Sequence, residues 1–220
     1  MTAERLQHLP RPQILFVHGM GRTPLSALPL LLRLRMHGYP VGVFGYSTAW
    51  HTFAAIRDRL QERLVRLAAE GPYALVGHSL GGVLLRSALR ALPAGTRQPE
   101  HLFLLGSPMR SARLARRLRN HRVYRLVTGD CGQLLACETR MQGIGSVEGR
   151  STAIMGVKGF RGTRSAFLDE PNDGVVGVSE LHAEWLQEEV RVPVVHTFLP
   201  ASGRVAAVLL ERLQGQRTSC

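Results

Sequence analysis

The sequence contains little lysine, few cysteines and no long apolar run. Lys158 is the single lysine among 28 basic residues, which face 16 acidic ones and give a formal net charge of +12. No stretch approaches the roughly 20 apolar residues of a membrane-spanning helix, and the N-terminus lacks a secretory pattern, so we expect a cytoplasmic protein. An odd set of cysteines without metal-ligand spacing predicts free thiols; these are Cys131, Cys137 and Cys220.

The positive charge raises the question of a nucleic-acid partner, because clustered basic residues neutralise phosphates. Here the bias is toward arginine alongside abundant Ala, Leu and Gly, a composition that a GC-rich coding sequence produces without functional selection. We therefore expect no nucleic-acid partner. One dense group remains between positions 110 and 125, where no acidic residue intervenes: Arg110, Arg113, Arg116, Arg117, Arg119, Arg122 and Arg125.

The length and the pattern of apolar segments predict one α/β domain over residues 1–220. Short apolar runs alternate with helical patterns, which is typical of a parallel sheet with helices on both faces. About six strands are expected, at 14–17, 41–45, 73–76, 101–105, 152–157 and 192–195. In the first helix we expect Thr23 as the N-cap and an apolar stripe formed by Leu25, Leu28, Leu32 and Met36. Residues 109–150, with expected helices at 112–120 and 123–137, are the least regular part and predict a small cap-like insertion.

The strongest local motif is Gly77-His78-Ser79-Leu80-Gly81, which follows an apolar run and precedes a helical pattern. In such a strand-to-helix elbow, the serine occupies a strained turn, and the glycines leave room for the backbone. Ser79 is therefore the predicted nucleophile.

A serine nucleophile needs a histidine base that a carboxylate orients. Asp173 is the expected acid, because it lies in a turn beyond the fifth predicted strand, and His196 is the expected base, because it follows the sixth. Asp169 and Glu180 remain rival acids, and His182 lies nearest to the acid in sequence.

An oxyanion hole requires two backbone donors aimed at the developing charge. The amides of Met20 and Leu80 meet this need, with Gly21 as an alternative to Met20. His18 and Gly19 form a glycine loop after the first strand that allows close approach of a substrate. This loop lacks the lysine and spacing of a P-loop and the third glycine of a dinucleotide fingerprint.

Five segments together resemble the α/β-hydrolase superfamily, and most closely bacterial serine esterases and lipases related to triacylglycerol lipases. They are His18-Gly19-Met20-Gly21-Arg22, Gly77-His78-Ser79-Leu80-Gly81-Gly82, Gly106-Ser107-Pro108, Asn172-Asp173-Gly174-Val175-Val176 and His196-Thr197-Phe198. Their order matches over nearly the whole chain. The resemblance implies Ser79 as nucleophile, Asp173 as acid, His196 as base, and Met20 with Leu80 as oxyanion donors.

These features predict a serine hydrolase that cleaves carboxylic esters through an acyl-enzyme, with no metal or organic cofactor. Thioester hydrolysis and acyl transfer use the same machinery and stay open, as does a non-catalytic binding protein with a basic face. The expected partner is a small-molecule ester or lipid. Arg110, Arg113 and Arg117, at i, i+3 and i+7, are expected to share a helical face that attracts anionic substrates or an anionic membrane surface.

Overall fold

In the computed structural model, which describes residues 11–163 and 165–218, six strands form one parallel sheet. The strands are β1 (Gln13–Val17), β2 (Val41–Phe44), β3 (Tyr73–His78), β4 (His101–Leu105), β5 (Ser151–Gly156) and β6 (Glu188–Val192). Their order across the sheet is β2-β1-β3-β4-β5-β6. This is the α/β-hydrolase architecture that the sequence predicts, with β3, which leads into Ser79, near the centre.

Helices connect the consecutive strands, because parallel strands need crossover connections. They are α1 (Leu28–Met36), α2 (Phe53–Glu70), α3 (Leu80–Arg90), α4 (Arg113–Leu118), α5 (Arg122–Ala136), α6 (Glu138–Ile144), α7 (Val178–Leu181) and α8 (Gly203–Thr218). Two 3₁₀ helices, Pro24–Ala27 and His196–Ala201, complete the described elements.

The alternation of side chains along each strand divides the core into two layers. Leu75 of β3 packs with α2 and α3, whereas its neighbours Ala74 and Val76 pack with α1 and α8 on the other face. Because successive strand residues point to opposite faces, a sheet covered on both faces buries every position. The central strands accordingly read as continuous apolar runs in the sequence.

The first helix buries a different face from the predicted one. Leu25 and Met36 are 74% and 84% exposed, and Leu28 and Leu32 are also exposed. The helix instead packs through a stripe displaced around its axis, formed by Ala27, Leu30, Leu31 and Leu34. Leucines occur on both sides of this helix, so periodicity fits two stripes equally well, and contact with the sheet selects one. Thr23 precedes the 3₁₀ helix but makes no side-chain cap.

The sixth strand lies four residues earlier than predicted. The expected run 192–195 is apolar, but the strand that forms is Glu188–Val192, in which residues alternate between more and less exposed. An edge strand with one face toward solvent alternates in this way, and Pro193 has no N–H for a ladder hydrogen bond. His196 therefore begins a 3₁₀ helix rather than directly following the strand.

Residues 109–150 form three short helices, α4 to α6, of which the third is not predicted from the sequence. Within α5, Gly129 has φ 52° and ψ −143°, which breaks the helix into two parts. Residues of α5 and α6, including Cys131, Leu134 and Met141, belong to the same hydrophobic cluster as α2 and α3.

Among the described residues, Cys131 and Cys137 are free thiols, as expected, and Cys220 lies outside those residues. No helix in the described part of the chain is both long enough and apolar enough to cross a membrane.

Candidate active site

Ser79 sits in a strained turn between β3 and α3. Its φ of 53° lies in the left-handed region, which is rare for a residue with a side chain and marks functional sites. Its backbone N–H donates to the carbonyl of Leu105 on the adjacent strand, at 2.9 Å. A Cβ on Gly81 would lie 2.2 Å from the carbonyl oxygen of Val17, so only glycine lets α3 pack this close to β1.

Asp173 is buried in the loop after β5, with 1% of its surface exposed. Its Oδ1 accepts hydrogen bonds from the backbone N–H groups of Val175 and Val176, at 2.9 and 2.7 Å. The preceding Asn172 closes the turn, because its Oδ1 accepts from Gly174 N at 2.9 Å. These bonds fix the carboxylate and leave its second oxygen available.

That second oxygen holds the ring of His196. Nδ1 of His196 lies 2.6 Å from Oδ2 of Asp173, and the His196 backbone N–H donates to the Asp173 carbonyl at 2.9 Å. Since the carboxylate accepts, Nδ1 carries the proton, so in the neutral ring Nε2 is the nitrogen with the lone pair. The structure thus brings the predicted acid and base together across 23 residues.

Two glycines let the strand ends pack closely against this pair. A Cβ on Gly106 would lie 3.0 Å from His196 Nδ1 and 3.1 Å from Asp173 Oδ2, and one on Gly156 would lie 2.7 Å from Asp173 Cβ. Gly106 directly follows Leu105, whose carbonyl accepts the hydrogen bond from the Ser79 backbone N–H. Ser79 Oγ itself makes no hydrogen bond within the part of the chain that the structure describes; such contacts commonly tighten when substrate binds.

The predicted oxyanion donors lie on two segments that meet at Ser79. Leu80 is the first residue of α3, so its N–H has no acceptor within the helix. The loop carrying Met20 passes close to Ser79, since a Cβ on Gly19 would lie 3.2 Å from Ser79 Cβ. Arg22 on the same loop donates to Thr197 Oγ1 at 2.9 Å, which ties the loop to the residue after His196.

The loop is held from behind by Tyr46, a residue that the sequence pattern does not single out. Tyr46 stacks on the His18 ring at 4.2 Å between centroids, its hydroxyl donates to the His18 carbonyl at 2.7 Å, and its N–H donates to His18 Nε2 at 3.3 Å. The His18 side chain is 2% exposed. The buried His18 side chain therefore orients the loop. This differs from the sequence-based prediction, in which His18 contacts a substrate.

His78 is a second residue whose position emerges only from the fold. It is fully enclosed, its ring centroid lies 4.8 Å from that of His196, and its Nε2 lies 3.1 Å from the His196 carbonyl oxygen. Burial is the main cause that holds the pKa of His78 well below its usual value, so the ring is neutral and Nε2 donates. His78 Nδ1 has no hydrogen-bond partner among the described residues.

The rival site residues have other partners or lie apart. Glu180 accepts from the backbone N–H groups of Gly177, at 2.7 Å, and Arg113, so it braces the acid loop. Asp169 is exposed. His182 pairs with Glu189 at 2.6 Å. Within the described part of the chain, none of the three forms a hydrogen bond or ion pair with Asp173 or His196.

The expected arginine face does not form. Arg110 lies outside α4, which begins at Arg113, so no single helix carries Arg110, Arg113 and Arg117. Arg113 is committed to ion pairs with Glu170 and Glu180. These two glutamates balance the charge of Arg113. A basic face shared by the three arginines was the reason to expect a membrane contact, and the structure does not form that face.

Three buried histidines predict a pH-dependent stability. Burial lowers the pKa of His18 and His78, and that of His101 to about 4, whereas the unfolded chain takes up these protons near pH 6.5. The unfolded state then binds more protons, so the free energy of unfolding should fall as the pH drops from 6.5 toward 4.5. Urea unfolding at stepped pH measures this slope, and His101→Asn should flatten it. An unchanged slope in that variant would contradict the assignment to His101.

Within the described residues, no group of histidine, cysteine or acidic side chains has the arrangement to hold a metal ion.

Comparisons with known proteins agree with the fold. A family model described as a thioesterase domain matches residues 45–127. A comparison with curated proteins finds no match. Among solved structures, the mature lipase BlEst2 of Bacillus licheniformis superposes with a TM-score of 0.64 at 17% identity, over 93% of this chain and 92% of that one.

Two further similar structures belong to proteins with other described activities. The thioesterase RedJ from the prodiginine pathway of Streptomyces coelicolor has a TM-score of 0.59 at 17% identity, over 94% of this chain and 91% of that chain. Tomato methylketone synthase I, solved with 2-tridecanone, has a TM-score of 0.63 at 13% identity, over 94% and 99%. By the order of its strands and the likeness to these structures, the chain has the α/β-hydrolase fold, which it shares with this lipase and this thioesterase.

Proposed function

We propose that the protein is a serine hydrolase that cleaves ester or thioester bonds through an acyl-enzyme. The observation that carries the proposal is the buried Asp173 and His196 pair, joined at 2.6 Å, beside an elbow that strains Ser79 to a φ of 53°. A hydrogen-bonded pair of this kind has little use in a stable core, because removing two polar groups from water is unfavourable. It suits a site that moves a proton.

In the proposed mechanism, Ser79 Oγ attacks the carbonyl carbon while His196 Nε2 takes its proton. Asp173 stabilises the resulting imidazolium and keeps the ring oriented. The N–H groups of Met20 and Leu80 would donate to the oxyanion. His196 then gives its proton to the leaving alcohol or thiol, and a water molecule activated by the same nitrogen releases the acid from Ser79.

For the substrate class, we propose carboxylic esters of a small molecule or lipid, with thioesters as the second candidate. The thioesterase-domain match over residues 45–127 favours the thioester. Purified protein assayed on p-nitrophenyl esters of graded chain length, beside acyl thioesters of the same acyl groups, separates the two by their kcat/KM values.

A non-catalytic binding protein is the alternative from another class. A fluorophosphonate probe bonds covalently to an activated serine, so we expect labelling of the protein and none of Ser79→Ala. Absence of labelling in the folded wild-type protein would contradict the hydrolase proposal.

We also propose that the chain forms a single domain and that residues 109–150 cover the site as a small cap. This segment begins shortly after the end of β4, and its Met109 N–H donates to the Glu180 carbonyl beside the Asp173 loop, at 2.8 Å.

His78 is expected to act as a positioning residue for the base. Replacing it with leucine removes the donor to the His196 carbonyl, and a base displaced by about 1 Å lowers the rate on the order of 100-fold. We therefore expect His78→Leu to lower kcat about 10- to 100-fold with little change in KM.

His78→Gln supplies the matched control, because its amide nitrogen reaches about as far as Nε2 and should restore most of kcat. Thermal unfolding of both variants measures stability separately. A leucine variant with lower stability but normal kcat would show that His78 only fills space.

A further inference from the structure

A cavity of about 400 Å³ lies beside α3, outside the catalytic centre. Its lining includes none of Ser79, Asp173 or His196. Arg86, which contributes to the wall, comes seven residues after Ser79 on the same helix, about 10 Å along its axis. The cavity is therefore a separate feature of the molecule.

The Arg86 side chain is a buried cation without a carboxylate partner. It is 2% exposed, Nη1 donates to the Pro108 carbonyl at 3.2 Å, and Nη2 donates to the Gly145 carbonyl at 2.5 Å. Its Nε is buried with no hydrogen-bond partner in the described part of the chain, and no described carboxylate forms an ion pair with it. Burying an unpaired charge is costly, so the environment favours an added anion.

Burial and the nearby charge of Arg90 lower the pKa of Arg86 to about 10, which still leaves the side chain charged at neutral pH.

The rest of the lining contributes a second arginine, one carboxylate and apolar surface. Arg110 is exposed at the cavity, and the Trp185 ring centroid lies 5.3 Å from the Arg86 guanidinium carbon. The one lining carboxylate, Glu138, already accepts from Ser111 and from Gln142 Nε2 at 3.4 Å. Met109 and Met141 supply apolar walls, and His182, paired with Glu189, completes the titratable groups.

We propose that this cavity binds a small organic anion, in which a carboxylate or phosphate is attached to an apolar portion. The anionic oxygens accept hydrogen bonds from Arg86 and Arg110, and the apolar portion packs on Trp185 and Met109. Recognition of such groups by arginine depends on charge-assisted hydrogen bonds. This site is independent of the proposed hydrolysis at Ser79.

The two tryptophans allow a direct binding measurement. Trp50 and Trp185 are the only ones in the sequence, so in a Trp50→Phe variant the fluorescence reports Trp185 alone. The probes are hexanoate, hexanol as its uncharged counterpart, and inorganic phosphate. We expect hexanoate to change the Trp185 fluorescence in a saturable way. The affinity for hexanol should be at least tenfold lower. Phosphate competing with hexanoate would indicate that phosphorylated ligands are accepted too, and failure to compete would restrict the site to carboxylates.

Substitutions in the same background test the role of the arginines. Loss of a charge-assisted hydrogen bond corresponds to a loss of affinity of about 10- to 100-fold. Arg86→Gln should lose this much for hexanoate, and the exposed Arg110→Gln, which does not disturb the core, should lose about tenfold. Arg66→Gln, an exposed arginine on α2, is the control and should bind as the parent does.

A response to hexanoate that does not saturate, an equal response to hexanol, or unchanged affinity in Arg110→Gln would overturn the proposal. Because the readout is binding at Trp185, none of these results depends on whether Ser79 is catalytic.

Discussion

Replacing Ser79 with alanine is expected to abolish ester and thioester hydrolysis and to leave the protein folded. The hydroxyl is the atom that would bond to the acyl group, so its removal takes away the whole covalent path. Members of a catalytic triad act as a unit, and loss of the nucleophile typically lowers the rate by 10⁴-fold or more. The strained φ of 53° belongs to the elbow, and alanine preserves the Cβ there.

Ser87→Ala is the matched control, because Ser87 lies two turns farther along α3 and outside the site. Initial rates on a p-nitrophenyl ester, together with thermal unfolding of both variants, measure the effect. If Ser79→Ala kept a tenth of the wild-type rate, Ser79 would not be the nucleophile.

Replacing Asp173 with asparagine is expected to lower kcat by up to about 10⁴-fold, with KM nearly unchanged. The carboxylate accepts the Nδ1 proton of His196 at 2.6 Å, while its other oxygen accepts from two backbone N–H groups. An amide can keep those backbone bonds and turn its NH₂ group toward Nδ1. That arrangement favours the tautomer with the proton on Nε2, which cannot accept the proton from Ser79.

The two rival acids provide controls with different expected outcomes. Asp169→Asn alters an exposed side chain and should leave kcat and stability unchanged. Glu180→Gln weakens the bonds to Gly177 and Arg113, so it should lower the temperature of unfolding while the folded protein keeps its turnover. A large loss of kcat in either control, with normal kcat in Asp173→Asn, would show that Asp173 is not the acid of the triad.

The sequence alone predicts well those features that depend on interactions between residues close together in the chain. The elbow at Ser79 depends on flanking glycines and on the strand and helix around it, all within about 20 residues. The central strands carry continuous apolar runs because both faces of the sheet are covered, and the observed β1, β3 and β4 lie close to the predicted segments. The α/β class follows from the alternation of these runs with helical stripes.

Predictions are wrong where several arrangements satisfy the same pattern. Leucines on both sides of α1 permit two buried faces, and only the position of the helix against the sheet exposes Leu25 and Met36. The edge strand β6 has one solvent face, so its mixed sequence Glu188–Val192 carries less signal than the apolar residues after it. The proposed arginine face needs one continuous helix, and α4 begins too late to include Arg110.

The sequence by itself determined the elbow, the class of fold and the residue types of the proposed serine hydrolase site. Only the tertiary structure decided that Asp173, rather than Asp169 or Glu180, meets His196, since those contacts join segments 23 residues apart that no local pattern relates. It also decided that His78 contacts the His196 carbonyl and that Tyr46 holds the loop of Met20. The reason is physical: hydrogen bonds of this kind depend on distance and direction in space, and spacing along the chain does not encode them.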